Sequence, residues 1–157
     1  MIGVCVCIIA DMDLDLIQLG ASEVEDIEER LEAFDSSFTG VEPEGSVAVG
    51  FMDGQTLVAG AQASMTTFDI LYVSTVFVDE AYRGRGLGTK LLEEVERQAR
   101  ELGARLIRLD TFDWQGVGFY EKLGYEQVGH YTAPVAASSS GQDQEATFAE
   151  HFYLKRL

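Results

Sequence analysis

Basic residues are scarce in this chain. Only 11 of its 157 residues are Lys or Arg, against 27 Asp and Glu, a formal charge of −16 with a pI near 4.3. Nucleic acid and anionic membrane surfaces would be repelled, so neither is expected as a partner, whereas a cationic ligand would be attracted. The same acidity suits a high-salt habitat or an ordinary acidic protein. Cysteine is limited to Cys5 and Cys7. At i, i+2 on a strand they share one face, where disulfide geometry is disfavoured, and they read as buried thiols. The two histidines, His130 and His151, stand apart from any cysteine, so no metal site is expected. No apolar run approaches the roughly 20 residues needed to span a bilayer. Residues 1–10 are apolar but have no basic flank, since no Lys or Arg precedes Arg30; they read as an edge or central β-strand rather than a signal peptide. A soluble, cytoplasmic protein is expected. The length suits one domain spanning residues 1–157, and no internal repeat is evident.

Against this background, Tyr82-Arg83-Gly84-Arg85-Gly86-Leu87-Gly88-Thr89-Lys90 stands out. Three of the few basic residues fall between positions 83 and 90 with no carboxylate among them. Glycine lets the backbone approach a ligand closely, and the first amides of a helix lack intrahelical partners and point outward as donors. Cations at a helix start oppose the macrodipole, so something negative is expected to offset them. The stretch therefore reads as an anion cradle, the alternative being a glycine-rich turn with solvated arginines. Neither the dinucleotide-binding glycine spacing nor the P-loop pattern fits, because Thr89 and Leu91 fall where a third glycine is required and Thr89 precedes Lys90.

Around the loop, Ser22-x-x-Glu25 suggests a capping box opening a helix over roughly 23–35, with Val24, Ile27, Leu31 and Phe34 at helical spacing. Residues 46–51 and 56–61 flank Asp53-Gly54, a hairpin signal. Residues 70–78 carry no charge and predict a strand buried on both faces. Leu87, Leu91, Val95, Ala99 and Leu102 form one apolar helical stripe, with Glu93/Arg97 and Glu96/Arg100 expected as i, i+4 pairs opposite. Gly103 ends that helix. Residues 104–110 follow as a strand, which completes a β–loop–helix–β unit with the loop at a strand's carboxyl end. A short helix holds Phe119 to Tyr125, 132–147 reads as a long loop, and 148–157 as the last strand. The long loop could border an acceptor site or a homodimer interface, or be a plain surface excursion.

Arg83-x-x-Gly86-x-Gly88, followed one strand later by Phe119-Tyr120-Glu121-Lys122-Leu123-Gly124-Tyr125, resembles the GNAT superfamily of acyl-CoA-dependent N-acetyltransferases. The likeness covers roughly residues 57–128. It implies an α/β (α+β) GNAT-like fold, with a central mixed, twisted sheet of about six to seven strands flanked by about four helices. It further implies acetyl-CoA as co-substrate, an amine acceptor, and no metal. By the same resemblance, the backbone from Arg83 through Gly84, Arg85, Gly86 and Leu87 to Gly88 holds the pyrophosphate, with Thr89 adjoining. Val76, Phe77 and Val78 would pair with the pantetheine arm. Phe119 and Leu123 read as core, with Phe119 also beside the cofactor, and Lys122 either reaches the CoA phosphates or stays at the surface. Tyr120 is the implied proton donor to the departing thiolate. Residues 70–78 lack the carboxylate that some members carry there, which leaves Asp110, Asp113 or a water relay as the base. Trp114 and Gln115 could line the acceptor side or anchor their turn. The resulting expectation is an N-acetyltransferase acting on a primary amine of a small molecule or peptide; the alternatives are a non-catalytic acyl-CoA-binding module and a plain α/β interaction domain.

Overall fold

The computed structural model describes residues 16–40, 44–135 and 146–157. The strand expected at 1–10, with Cys5 and Cys7, and the centre of the 132–147 segment lie outside the described residues. Contacts divide the chain into two units, 1–38 and 39–157.

The first unit contains helix α1 (Ala21–Thr39). Its capping differs from the predicted Ser22/Glu25 box. The Glu23 carboxylate accepts the Gly20 amide at 3.0 Å and the Ser22 hydroxyl at 3.2 Å, so one half of a capping box forms two residues earlier, and Gly20 has no side chain to complete it. Asp26 and Arg30 pair across one turn at 3.3 Å, and Phe34 and Phe38 rings lie 4.9 Å apart.

The second unit is built on a six-stranded mixed sheet, with β1 (Ser46–Asp53), β2 (Thr56–Thr66), β3 (Ile70–Val78), β4 (Leu106–Phe112), β5 (Glu126–Val135) and β6 (Ala146–Arg156). The strand order is β1-β2-β3-β4-β6-β5. The β3–β4 pair is parallel and the others are antiparallel. Helix α2 (Leu87–Glu101) provides the β3–β4 crossover, and α3 (Phe119–Lys122) stands between β4 and β5. Three α-helices among the described residues are fewer than the expected four; the α/β class with its six strands is as expected.

The apolar stripe of α2 lies on one face of the sheet. Leu91, Leu92, Val95 and Ala99 are buried with Val47, Ala61, Ala63, Leu71, Val73, Ile107 and Leu109 in one core. Burying each large aliphatic side chain stabilises by roughly 1.5–3 kcal/mol. The predicted Glu93–Arg97 pair is absent: Arg97 instead bonds Glu94 at 2.6 Å and reaches Glu101. Glu96 was expected on a solvated face, yet it is 7% exposed. Its carboxylate receives the Lys155 ammonium at 2.7 and 2.8 Å, and the expected i, i+4 pair with Arg100 forms at a longer 3.9 Å. Lys155 also donates to the Leu123 carbonyl at 2.7 Å, so one cation ties α2, β6 and the end of α3 together.

Two further expectations are corrected. Strand β5 was not anticipated, because Glu126 to Tyr131 is a polar, largely exposed edge that lacks apolar alternation. The predicted loop begins too early as well: Thr132 to Val135 pair with Ala149 to Ala146, and Pro134 is tolerated because β5 is an edge strand. Nor is β3 buried on both faces. Only Leu71 and Val73 are buried, while Ser74, Thr75 and Phe77 are exposed. No helix among the described residues is long and apolar enough to cross a membrane.

Because Glu96 and Lys155 are mostly removed from water, unpairing them is expensive. Glu96→Gln should cost about 2–4 kcal/mol, read as a melting temperature several degrees lower. The double variant Glu96→Leu/Lys155→Met should recover part of that loss, as a thermal melt would show.

Candidate active site

The sheet opens where β3 leaves β4. Their pairing runs only from Ile70↔Leu106 to Val73↔Leu109. At that point Ser74 is an extra residue on β3, since Ala63 pairs with Val73 and Gln62 with Thr75. Such a bulge bends a strand and increases its twist. Beyond it, Thr75 to Val78 keep their pairing with β2 but have none with β4.

The opening is a cleft of about 900 Å³. Val76, Phe77 and Val78 form one wall, Arg83, Gly84, Gly86, Leu87, Gly88 and Thr89 close one end, and Asp110, Thr111, Trp114, Gln115, Phe119 and Tyr120 line the other side. Of the residues singled out in the sequence around the two motifs, Arg85, Lys90, Asp113, Lys122 and Leu123 are absent from this lining.

The glycine turn is held by its own arginines. Arg83 Nε donates to the Val78 carbonyl and an Arg85 terminal nitrogen to the Ala81 carbonyl, each at 3.1 Å. The Arg85 guanidinium also lies 5.1 Å from the centre of the Tyr82 ring, and the Tyr82 hydroxyl donates to Asp53 on the neighbouring hairpin. Thus Arg85 supports the turn, and Lys90 borders a separate hollow beside Val49 to Phe51. Positive potential at the cleft end comes instead from Arg83 and from backbone. Gly84 and Gly86 have φ of 73° and 78°, the left-handed region that glycine enters without strain. Gly86 caps α2 without a side-chain hydrogen bond, and no acidic residue stands in the first turn. The amides of Leu87, Gly88 and Thr89 therefore keep their donor capacity, the arrangement that binds a phosphate group. This end of the cleft therefore offers backbone donors to an anionic group.

Gly88 also lets the Phe119 ring come close. A Cβ there would lie 3.0 Å from Phe119 Cζ, so an added methyl group would have to displace that ring by a few tenths of an ångström. Next to Phe119, Tyr120 is 8% exposed, its ring 5.1, 6.0 and 5.6 Å from those of Phe119, Tyr125 and Tyr153. Among the described residues no group hydrogen-bonds its hydroxyl. Burial foremost, then the charge of Asp110, raises the Tyr120 pKa, and the phenol keeps its proton at neutral pH.

The two acidic candidates separate in the structure. Asp110 lines the cleft, and one carboxylate oxygen accepts the Tyr72 hydroxyl at 2.8 Å. Asp113 does not line it; its oxygens take the Ala149 amide and His151 Nε2, both at 2.7 Å. The His151 hydrogen bond is the largest reason that its carboxyl sits below the usual range. Gln115 both lines the cleft and anchors its turn, accepting the Phe112 amide at 3.1 Å. Trp114 stacks on Phe112 at 4.8 Å, with Phe148 edge-on at 5.0 Å. Tyr72 and Phe148 are site neighbours that sequence reading missed, because only cross-strand pairing brings them to Asp110 and Trp114. Among the described residues no group of His, Cys, Asp and Glu could hold a metal ion.

The profile of the acetyltransferase (GNAT) family matches residues 14–125. The chain belongs to this family. An acetyltransferase of Agrobacterium fabrum is 29% identical over 132 residues, 83% of this chain and 93% of its own. The structure superposes on a Bacillus cereus acetyltransferase with a TM-score of 0.74 and 29% identity, covering 92% and 98% of the two chains. An aminoglycoside 6'-N-acetyltransferase solved with coenzyme A shares the fold at a TM-score of 0.56 and 22% identity, over 87% and 81% of the chains. The GNAT acetyltransferase thus has a cleft whose uncapped helix end suits coenzyme A.

Gly88→Ala should push the Phe119 ring into the cleft and crowd the amides beside it. Affinity for CoA should fall about tenfold or more, while the melting temperature changes little, since alanine favours the helix that it enters. Calorimetric titration with CoA checks this; undiminished affinity would contradict the assignment of the glycine turn.

Proposed function

We propose that this acetyltransferase moves the acetyl group of acetyl-CoA to a primary amine of a small molecule or peptide. The observation that carries the reading is the position of two groups in one cleft: a phenol held protonated, Tyr120, and an ionisable carboxyl, Asp110, whose charge acts on that phenol. The uncapped end of α2 lies at the far end of the same cleft.

Acetyl-CoA, when bound, supplies an activated thioester. The amides of Leu87 to Thr89, with Arg83, hold its diphosphate, and the free edge of Val76 to Val78 offers backbone donors and acceptors to the amide-bearing arm. Phe119 and Thr89 flank it. Tyr120 Oη holds a proton for the departing sulfur. The amine has to be neutral to attack, and Asp110 has one carboxylate oxygen free of the Tyr72 hydrogen bond to take the ammonium proton, directly or through water. Trp114, at the mouth, orients the acceptor.

Tyr120→Phe keeps the ring and its packing, so the melting temperature and CoA affinity should stay near wild type while kcat falls about 10²-fold. Because burial, and then the charge of Asp110, raises the Tyr120 pKa above its ordinary value near 10, the phenol remains protonated at neutral and mildly alkaline pH. In wild type, kcat should therefore climb with pH and show no descending limb below about pH 10. Free thiol release across an amine panel measures both effects. Turnover within about twofold of wild type in the phenylalanine variant would remove Tyr120 from the reaction, and CoA binding without transfer to any amine would mark an acyl-CoA-binding module instead.

A further inference from the structure

On the sheet face opposite α2, strands β4, β5 and β6 assemble a second acidic position beside Asp110. Glu150 pairs with Phe112 across β4 and β6, and Asp110 pairs with Phe152. The two carboxylates are therefore diagonal neighbours on one face, with backbones about 7–8 Å apart. Each is held by a tyrosine from the strand on its outer side: Tyr72 donates to Asp110, and Tyr131 to Glu150. In both cases one oxygen is engaged, and no partner among the described residues takes the other. The Phe152 ring stands directly across from Asp110 and two residues along β6 from Glu150, with its centre 5.8 Å from that of Tyr131. Tyr131 and Phe152 are 51% and 37% exposed, so this aromatic floor is open to a ligand.

The one basic side chain of the cluster does not neutralise it. Arg108 places its guanidinium 4.2 Å from the centre of the Tyr72 ring and makes no ion pair with either carboxylate. Both acids act on both tyrosines: the Tyr72 pKa is raised by its bond to Asp110 and by the charge of Glu150, and that of Tyr131 by its bond to Glu150 and by the charge of Asp110. Only Asp110 also lines the cleft with Tyr120.

Resting on the acetyltransferase reading above, we infer that the acceptor is a diamine: its reacting nitrogen is received by Asp110, a short alkyl chain crosses Phe152, and its second ammonium is held by Glu150 and the face of Tyr131. Two open carboxylate oxygens on one face, with an apolar ring next to both along the register, match two cations separated by methylenes. A monoamine would leave Glu150 unused, and the aromatic faces add cation–π attraction for an ammonium.

Putrescine and butylamine share a chain length and differ by one ammonium, so they serve as probes. Acetyl transfer to each should be measured, together with calorimetric titration of each into the protein saturated with CoA. Putrescine should be favoured roughly tenfold or more in kcat/KM, chiefly through KM, and bind tighter by a similar factor. Glu150→Gln keeps an acceptor for the Tyr131 hydroxyl, and should bring that preference close to one with the melting temperature preserved. Equal use of the two amines by wild type, or a preference that survives Glu150→Gln, would overturn the inference and leave the transferase reading standing. Putrescine binding that depends on Glu150, with transfer to neither amine, would support the recognition site and contradict the transferase reading.

Discussion

The site depends on a single unmatched residue in the middle of the sheet. Up to Val73, β3 runs beside β4 as an ordinary parallel pair; at Ser74 the register with β2 gains one residue, and the two strands separate. A buried sheet cannot leave backbone donors and acceptors unpaired without cost. The free edge of Val76 to Val78 is tolerable because it faces an open cleft, and the same opening lets a ligand reach both faces of the sheet. The α2 side supplies Tyr120 and the uncapped amides, and the other supplies Asp110. In the proposed reaction the acetyl donor and the acceptor would meet through this opening in the sheet.

Charge in this protein is arranged by position more than by amount. A chain with −16 formal charge still presents an uncapped helix end at its cleft, where donor capacity comes from backbone amides in a fixed orientation rather than from lysines. Arg83 and Arg85 each give one hydrogen bond to a carbonyl, of Val78 and of Ala81, which fixes the turn whose amides are proposed to bind the diphosphate. On the other face the acidic excess would favour approach of the amine proposed as acceptor. Lys155, meeting Glu96 inside the fold, shows the third use of charge: it fastens the C-terminal strand to α2 and to the end of α3, the helix that carries Tyr120.

The β–loop–helix–β unit was legible from the sequence because local signals agreed there. The run from Ile70 to Val78, the glycines that follow and the stripe from Leu91 to Ala99 each specify their own backbone, and the order of the two motifs carried the family. Less was legible where pairing across the sheet decides the outcome. Strand β5 has no apolar alternation, since one edge of it is free, and it forms because β6 lies beside it. Glu96 carries the same helical spacing as its solvated neighbours; its burial comes from Lys155, 59 residues away. Likewise Asp110 and Asp113 look equivalent in sequence. One faces the cleft and the other is consumed by His151 and the Ala149 amide, a distinction made by the register of β4 against β6.

Hydrogen exchange with and without CoA tests the central claim most directly, because the claim concerns particular amides. Binding in the opened cleft predicts that CoA slows exchange in two segments, the free edge from Thr75 to Val78 and the first turn of α2 from Leu87 to Thr89, with little change in β1 or β5. Protection confined to other segments, or saturation with CoA that leaves both of these unchanged, would contradict the account.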